Sequence, residues 1–510
     1  MELAVVFSVC LVISGTAIRL AMAAASRLGI MDQPGGHKLH EVSTPFVGGI
    51  GIIAVLLSLF VLIDPLFSSF VLMPLWGLMV GALALFLTGL ADDIWQLSFK
   101  LRFVVQALAA LVMIFFGGVK LASFGELLPG VSFDLGLLAV PLTIFATVGL
   151  INALNMTDGI DGLSGSASLV SLALTGVVAG LAGRANYVVL IVALMGGVVG
   201  FLYYNLRYPG NARARVFLGD NGSMVLGFVL AWLFIALSQG VSPAMTPVTA
   251  LWLFAMPLMD TVGVMLRRMW LGKSPFRADR HHFHHLFVRA GYRVCDIVAL
   301  AAFGQLVFGL VGVGGLLLGV PQYLMFGLFL GAFATYFLVT VRPWRLVPLL
   351  RRVNQSLGLP SSEHCGIFVG HFRKQQFPEL LGSIAEKLNS GHDYQISVYQ
   401  TDRSTTDGCD TYCVVHFPVS GDERLIGQIH RQAVALKKHL ARQKGVEVRL
   451  FMRRKCENEP RSRSLTAATN GNQRSRDRRR MYSTLIYSME RGGGPGRSDA
   501  FGFEVSLPPA

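Results

Sequence analysis

From the N-terminus to about Arg342 the chain is built of long apolar stretches divided by short polar intervals. A helix needs about 20 mostly apolar residues to cross a bilayer, and by that measure about eleven stretches qualify. They are centred near Ile13, Leu56, Gly81, Val112, Ile144, Leu172, Ile191, Val229, Leu253, Gly309 and Phe329. The first carries no basic residue ahead of it, and Arg19 and Arg27 come late, so it reads as a retained span and not as a cleaved signal peptide. An odd number of spans puts the termini on opposite faces.

Lysine and arginine near span ends stay on the cytoplasmic side. Alternate loops hold Arg27 and Lys38, then Lys100 and Arg102, then Arg207, Arg213 and Arg215, then Arg267, Arg268, Lys273, Arg277, Arg280, Arg289 and Arg293, whereas the opposite loops offer little beyond Lys120 and Arg184. The N-terminus is therefore expected outside, and the C-terminus and the richly charged loops inside.

Past Arg342-Pro343 the apolar pattern changes period. Residues 344–362 read as a linker and 363–455 as a small soluble domain, with strands at IFVGHF (367–372), YQISVYQ (394–400), YCVVHF (412–417) and VEVRLFM (446–452). FPELLGSIAEKLNSG and ERLIGQIHRQAVALKKHLARQKG carry amphipathic helix patterns, and this order permits a ferredoxin-like α+β sandwich. Residues 456–510 lack periodicity and are expected to stay disordered. The predicted fold class is thus an all-α polytopic membrane protein with a small C-terminal α+β domain and a disordered tail. Residues 1–343 form its membrane domain.

Composition agrees: 53% of residues are hydrophobic and 15% charged, with a mean hydropathy of +0.55, well outside the soluble range. The formal net charge of +14 would suggest a nucleic-acid partner, but much of the excess sits between Arg453 and Arg497, so none is expected. A basic run there, SRDRRRMYS, would suit anionic headgroups or RNA. Six cysteines are scattered without a CxxC pair, which supports neither a zinc site nor a disulfide framework.

The remaining polar residues gather in the inside loops. DQPGGHKLHEVSTPFVGG places Lys38 between His37 and His40, ahead of Pro45 and the Gly48-Gly49 pair; it reads as an anion contact or as a solvated loop. GLADDIWQLSFKLRFVVQ puts Asp92 beside Asp93, and neighbouring carboxylates resist joint ionisation unless a cation or proton intervenes. A helix cap near Ile94 is the plainer alternative. NALNMTDGIDGLSGS sets Asn152, Asn155, Asp158 and Asp161 around glycines that allow close approach of a ligand. VFLGDNGSMVLGF puts Asp220 at the tip of a turn, as a cation ligand or a cap. In DRHHFHHLF, His282, His284 and His285 follow Asp279, with Arg267 and Lys273 nearby; the spacing fits no ordinary zinc motif and suits a phosphate-binding belt.

Carboxylates that hold Mg²⁺ beside cations that hold phosphate are the equipment of phosphoryl transfer. A secondary transporter is the rival class, with Asp260, after Pro257, as an intramembrane acid at the enzyme site or paired with an arginine.

The blocks DQPGGHKLHEVSTPFVGG, DDIWQLSFKLRFVVQ, NALNMTDGIDGL, VFLGDNGSMVLGF and DRHHFHHLF, in this order from about Asp32 to Phe287, resemble the polyprenyl-phosphate N-acetylhexosamine-1-phosphate transferases. Those are multispan enzymes of the bacterial inner membrane. The resemblance implies transfer of a sugar 1-phosphate from a UDP-sugar to undecaprenyl phosphate, release of UMP, and a need for Mg²⁺, with Mn²⁺ as an alternative. It implies Asp220 as a metal ligand together with Asp93, and Asp92 or Asp93 as the base toward the lipid phosphate, which Lys100 would hold. Asp158 and Asp161 would join the catalytic set; Asn152 and Asn155 would serve nucleotide and metal. His282, His284 and His285, with Lys38, Arg267, Lys273 and Asp279, would line the site of the UDP-N-acetylhexosamine. The first block reads KLHEVSTPFVGG and the last HHFHH, closer to the branch that starts O-antigen, enterobacterial common antigen or teichoic acid than to the lipid I branch. UDP-GlcNAc is the expected donor, with UDP-FucNAc, UDP-QuiNAc or UDP-MurNAc-pentapeptide as alternatives. A homodimer is a compatible assembly.

Overall fold

Apolar stretches in a chain that must satisfy its own backbone hydrogen bonds become helices, and every one of the stretches named above does. The computed structural model describes residues 2–28, 31–32, 44–66, 73–208, 211, 213–275 and 281–356, together with five C-terminal strands. Its helices are α1 (Glu2–Leu28), α2 (Gly48–Leu66), α3 (Met73–Trp95), α4 (Phe99–Phe115), α5 (Ala139–Thr157), α6 (Leu163–Leu181) and α7 (Ala185–Asn205). They continue with α8 (Gly219–Ser238), α9 (Pro247–Leu253), α10 (Ala255–Trp270), α11 (Phe283–Ala290), α12 (Val294–Leu317), α13 (Gln322–Thr340) and α14 (Pro343–Ser356). Among the described residues, eight helices are long and apolar enough to cross a membrane, and α9 with α10 makes a ninth if the bent pair is one span. The protein is an integral membrane protein.

Helix α8 is the axis of the bundle. Every one of its residues except Asp220 and Ala236 is buried, and it packs on α2, α3 and α5. Small residues admit it: a Cβ on Gly89 of α3 would stand 2.4 Å from the backbone nitrogen of Asn221, so only glycine lets α3 lie against the start of α8. Outer helices such as α13 expose most of their surface, as expected where lipid is the solvent.

The α9–α10 pair turns through 86° at Phe254. A broken helix in an apolar setting leaves backbone groups that must be satisfied elsewhere. Here the buried amide of Gln305, on α12, accepts from the Met256 nitrogen at 3.0 Å and donates to the Leu253 carbonyl at 2.7 Å. This break was not foreseen in the span pattern, because the apolar run is continuous through it.

Short strands complete the membrane unit. β1 (Met31–Asp32) and β2 (Thr44–Pro45) pair antiparallel between α1 and α2. β3 (Ser123–Leu128) and β4 (Val131–Asp134) form a hairpin between α4 and α5.

The chain divides into two units, Met1–Val353 and Asn354–Ala510. In the second, β5 (Glu363–Phe372), β6 (Tyr394–Thr401), β7 (Thr411–Pro418), β8 (Val448–Arg454) and β9 (Ser483–Arg491) form an antiparallel sheet in the order β8-β5-β7-β6-β9. The first four lie at the positions read as strands, and the two amphipathic stretches at 377–391 and 423–445 fall outside the described residues. The stretch read as a linker begins inside α14, whose apolar positions recur at helical spacing, and β9 lies in the stretch expected to be disordered. Its Thr-Leu-Ile-Tyr core is rich in strand-forming residues.

Candidate active site

The carboxylate cluster grows from a helical hairpin. Helix α3 ends at Trp95, Gln96 takes a left-handed backbone (φ 52°), and Ser98 caps α4 by accepting from the Leu101 nitrogen. Such a tight reversal brings residues equidistant from the turn face to face. Arg102, one turn into α4, therefore meets Asp92, one turn from the end of α3: its Nη1 donates to Asp92 Oδ2 at 2.6 Å and to Asp220 Oδ2 at 2.8 Å. The other Asp220 oxygen accepts from Asn155 Nδ2 at 2.6 Å, and the same amide lies 2.9 Å from the Ser223 hydroxyl. One turn away on α5, Asn152 donates to Gln106 of α4 at 2.7 Å. Asp92, Asn155 and Asp220 thus meet at one point, with Arg102 between the two acids.

Asp93 is employed differently. Its Oδ1 accepts from the Asp220 nitrogen at 3.0 Å, and its Oδ2 accepts from the Asn221 nitrogen at 3.2 Å and from Asn221 Nδ2 at 2.5 Å. It caps α8, where free N–H groups and the helix dipole favour a negative charge. The approach requires Gly219, whose φ of +73° is a left-handed conformation and whose added Cβ would meet Asp93 Oδ2 at 2.7 Å. The sequence placed Asp93 beside Asp220 at a metal; the structure shows both its oxygens turned to the N–H groups of α8.

The glycine-rich turn after α5 splits its two acids. Asp158 accepts from Ser164 at 2.5 Å, and burial, helped by the charges of Asp220 and Asp161, pushes its carboxyl up to about 7 against the opposing Ser164 bond. Asp161 instead pairs with Arg207 at 2.6 Å and accepts from the Ala214 nitrogen at 3.2 Å, which ties the turn to the segment after α7. Asp161 is not drawn to the point where Asp92 and Asp220 meet.

The histidines stand on α11, against this turn. A Cβ on Gly159 would come within 2.4 Å of His284 Nε2. His284 is 2% exposed, its Nδ1 has no hydrogen-bond partner among the described residues, and burial, reinforced by His285, holds its pKa down to about 3. Its ring stacks on His282 at 5.9 Å, and His285 lies 4.2 Å away. His282 Nδ1 contacts Asp260 Oδ2 at 2.9 Å, so the intramembrane acid for which an arginine partner was one expectation has a histidine. Arg267 lines a small hollow with Asp260, His281 and Tyr336. Lys100 is exposed in the first turn of α4 and Lys273 is exposed just past the end of α10. Lys38 and Asp279 lie outside the described residues.

Sequence reading missed Arg102, noted only as an orientation marker, and also Ser164, Asn221 and Gln106. For Arg102 the available signal was its near-symmetric spacing from Asp92 about a tight helical reversal.

Acids, amides and imidazoles collected at the ends of α3, α5 and α8 and on α11, over a bundle of membrane-crossing helices, define an integral membrane enzyme that handles charged groups. A model of glycosyl transferase family 4 matches residues 75–238, the stretch from α3 to the end of α8. The undecaprenyl-phosphate alpha-N-acetylglucosaminyl 1-phosphate transferase of Salmonella typhi is 36% identical over 341 residues, 67% of this chain and 91% of that protein. The proteins of the same name from Escherichia coli K12 (35%, covering 65% of this chain and 89% of the relative) and Haemophilus influenzae (34%, 65% and 92%) are similar to a like degree. The chain belongs to glycosyl transferase family 4 and is a glycosyl-1-phosphate transferase.

Proposed function

We propose that this enzyme transfers N-acetylglucosamine 1-phosphate from UDP-N-acetylglucosamine to undecaprenyl phosphate and releases UMP, as the first membrane step of a bacterial surface glycan. The observation that carries the reading is the convergence of Asp92 and Asp220, from α3 and α8, on one positive charge. The names of the relatives support the acceptor and the sugar. UDP-FucNAc and UDP-QuiNAc are the donors to test beside UDP-GlcNAc. In this reading α2 and α4 also span, giving about eleven crossings, with the N-terminus outside and the site facing the cytoplasm of a bacterial inner membrane.

The donor set fits Mg²⁺. Carboxylate oxygens are its preferred ligands, and it is commonly held by one or two carboxylates together with substrate phosphates. Asp92 and Asp220 would hold it, Mn²⁺ being served by the same oxygens. Bound there, the ion would supply charge neutralisation at the phosphate oxygens during transfer.

The chain's own groups divide the remaining work. Asp92 takes the proton of the lipid phosphate, whose oxygen forms a bond to the β-phosphorus of the UDP-sugar as the bond to the bridging oxygen breaks and UMP departs. Asp93 keeps the start of α8, and hence Asp220, in position. Arg102 and Lys100 receive phosphate, Asn152 and Asn155 orient the nucleotide side, and the α11 histidines with Arg267 and Lys273 hold the diphosphate. The C-terminal sheet, in a ferredoxin-like order with one added edge strand, is a separate soluble α+β domain in this reading.

The test is lipid-extractable label from a panel of radiolabelled UDP-sugars, using membranes that contain the protein, undecaprenyl phosphate and Mg²⁺, with EDTA as control. Label from UDP-GlcNAc that disappears with EDTA is expected. Transfer from none of the sugars would overturn the proposal.

A further inference from the structure

Asp260 stands apart from the carboxylate cluster, yet it is as fully partnered as Asp93. It lies on α10, just past the corner at Phe254, and only 8% of its side chain is exposed. Its Oδ1 accepts from the Phe283 nitrogen at 2.8 Å and from the Tyr336 hydroxyl at 2.7 Å, while Oδ2 faces His282 Nδ1 at 2.9 Å. Three elements, α10, α11 and α13, are therefore joined through one carboxylate.

A carboxylate accepts and does not donate, so the hydrogen on His282 must reside on Nδ1. This leaves Nε2 for any ligand, as an acceptor in the neutral ring and as a donor in the cation. Tyr336 and the Phe283 nitrogen occupy Oδ1, which keeps Oδ2 turned to the ring. His284 is buried and stacked on His282, and its Nδ1 has no hydrogen-bond partner among the described residues.

We infer that Asp260 and Tyr336 are positioning residues that fix the tautomer and orientation of His282, leaving its Nε2 as the ring atom that meets the nucleotide sugar. The inference rests on the function proposed above and adds a division of labour: one histidine oriented by a dedicated acid, one held by burial and stacking alone.

Full-length protein in nanodiscs, as wild type, Asp260→Asn, Tyr336→Phe, His282→Gln and the Asp260→Asn/His282→Gln double variant, tests it by KM and kcat for donor and acceptor separately. Asp260→Asn should raise donor KM on the order of tenfold, the usual scale for partners that orient a ligand-binding histidine, with acceptor KM unchanged. Tyr336→Phe, which keeps the carboxylate and is the milder change to folding, should shift donor KM the same way by less. The double variant should be no worse than His282→Gln alone, because Asp260 acts through the ring. Fully additive losses, or unaltered donor KM in both Asp260→Asn and Tyr336→Phe, would overturn the inference while leaving wild-type transfer intact. Stabilisation of the protein by UDP against heating gives a readout without turnover and should shrink in the same variants. Wild type that neither transfers label nor is stabilised by UDP would remove the proposed function, and this inference with it.

Discussion

The carboxylate cluster and the histidine helix each set an acid against a cation, yet they are built to opposite specifications. Arg102 and Asp220 keep 32% and 26% of their side chains exposed, against 6% for Asp92, and a single guanidinium nitrogen is shared by the two acids. His282 and Asp260 keep 7% and 8%, and each Asp260 oxygen has a stated partner. An exposed, shared contact can be exchanged for another cation or for phosphate at little cost, since such pairs contribute little to stability. A buried, fully partnered one cannot, because breaking it strands a charge. Under the proposed function, the first region is suited to turnover and the second to holding a ligand in a fixed place.

The sharpest way to break this contrast is Asp220→Asn. It should lower lipid-linked product formation by at least on the order of a hundredfold, the scale for losing a group that acts on transition-state charge, with an unfolding temperature close to wild type. A protein that unfolds instead would make Asp220 a structural residue. Next in size, Arg102→Gln should cost on the order of tenfold in turnover, as is usual for outer-shell partners. It should also enlarge the stabilisation by Mg²⁺ in thermal unfolding, because the competing positive charge is gone; a destabilisation that Mg²⁺ does not repair would make Arg102 a fixed strut.

On the rigid side, Gln305→Leu should cost about 2–5 kcal/mol in denaturant unfolding, the penalty for leaving two buried backbone groups without partners. The smallest effect is a slope with pH. The Asp158 carboxyl is held up to about 7 in the folded protein against an ordinary 3.8. Between these values the folded chain keeps a proton that the unfolded chain has lost, so stability is greatest at the acid end of that window and falls as pH rises through 7. Asp158→Asn should flatten this slope in melts recorded in EDTA; an unchanged slope would assign it to other groups.

Much of this was legible in the chain. Apolar length alone located the long helices, since in lipid the backbone has few other options, and the acid-bearing loops marked the helix ends at which Asp92, Asp158 and Asp220 stand. Three features were not legible. The partner of Arg102 on α8 is 118 positions away, a distance over which only packing decides. Asp92 and Asp93 are neighbours of the same type, and their separate employments depend on which face of α3 meets the start of α8. The pairing of Asp260 with His282 depends on the corner at Phe254, inside an apolar run that reads as one straight helix. Of the C-terminal unit, alternation located four strands and missed the fifth, whose neighbourhood of Arg, Ser and Gly hid a short run of strand formers.

Helix α8 has almost no face of its own toward the surroundings. Its first carboxylate cannot drift unless the helices around it drift too, so a slackening of packing anywhere along α3 or α5 will be read out as a misplaced Asp220. Catalytic rate in this protein is thereby a gauge of the integrity of the whole bundle, and substitutions deep in its apolar interior should be detectable as slow enzymes before they are detectable as unstable ones.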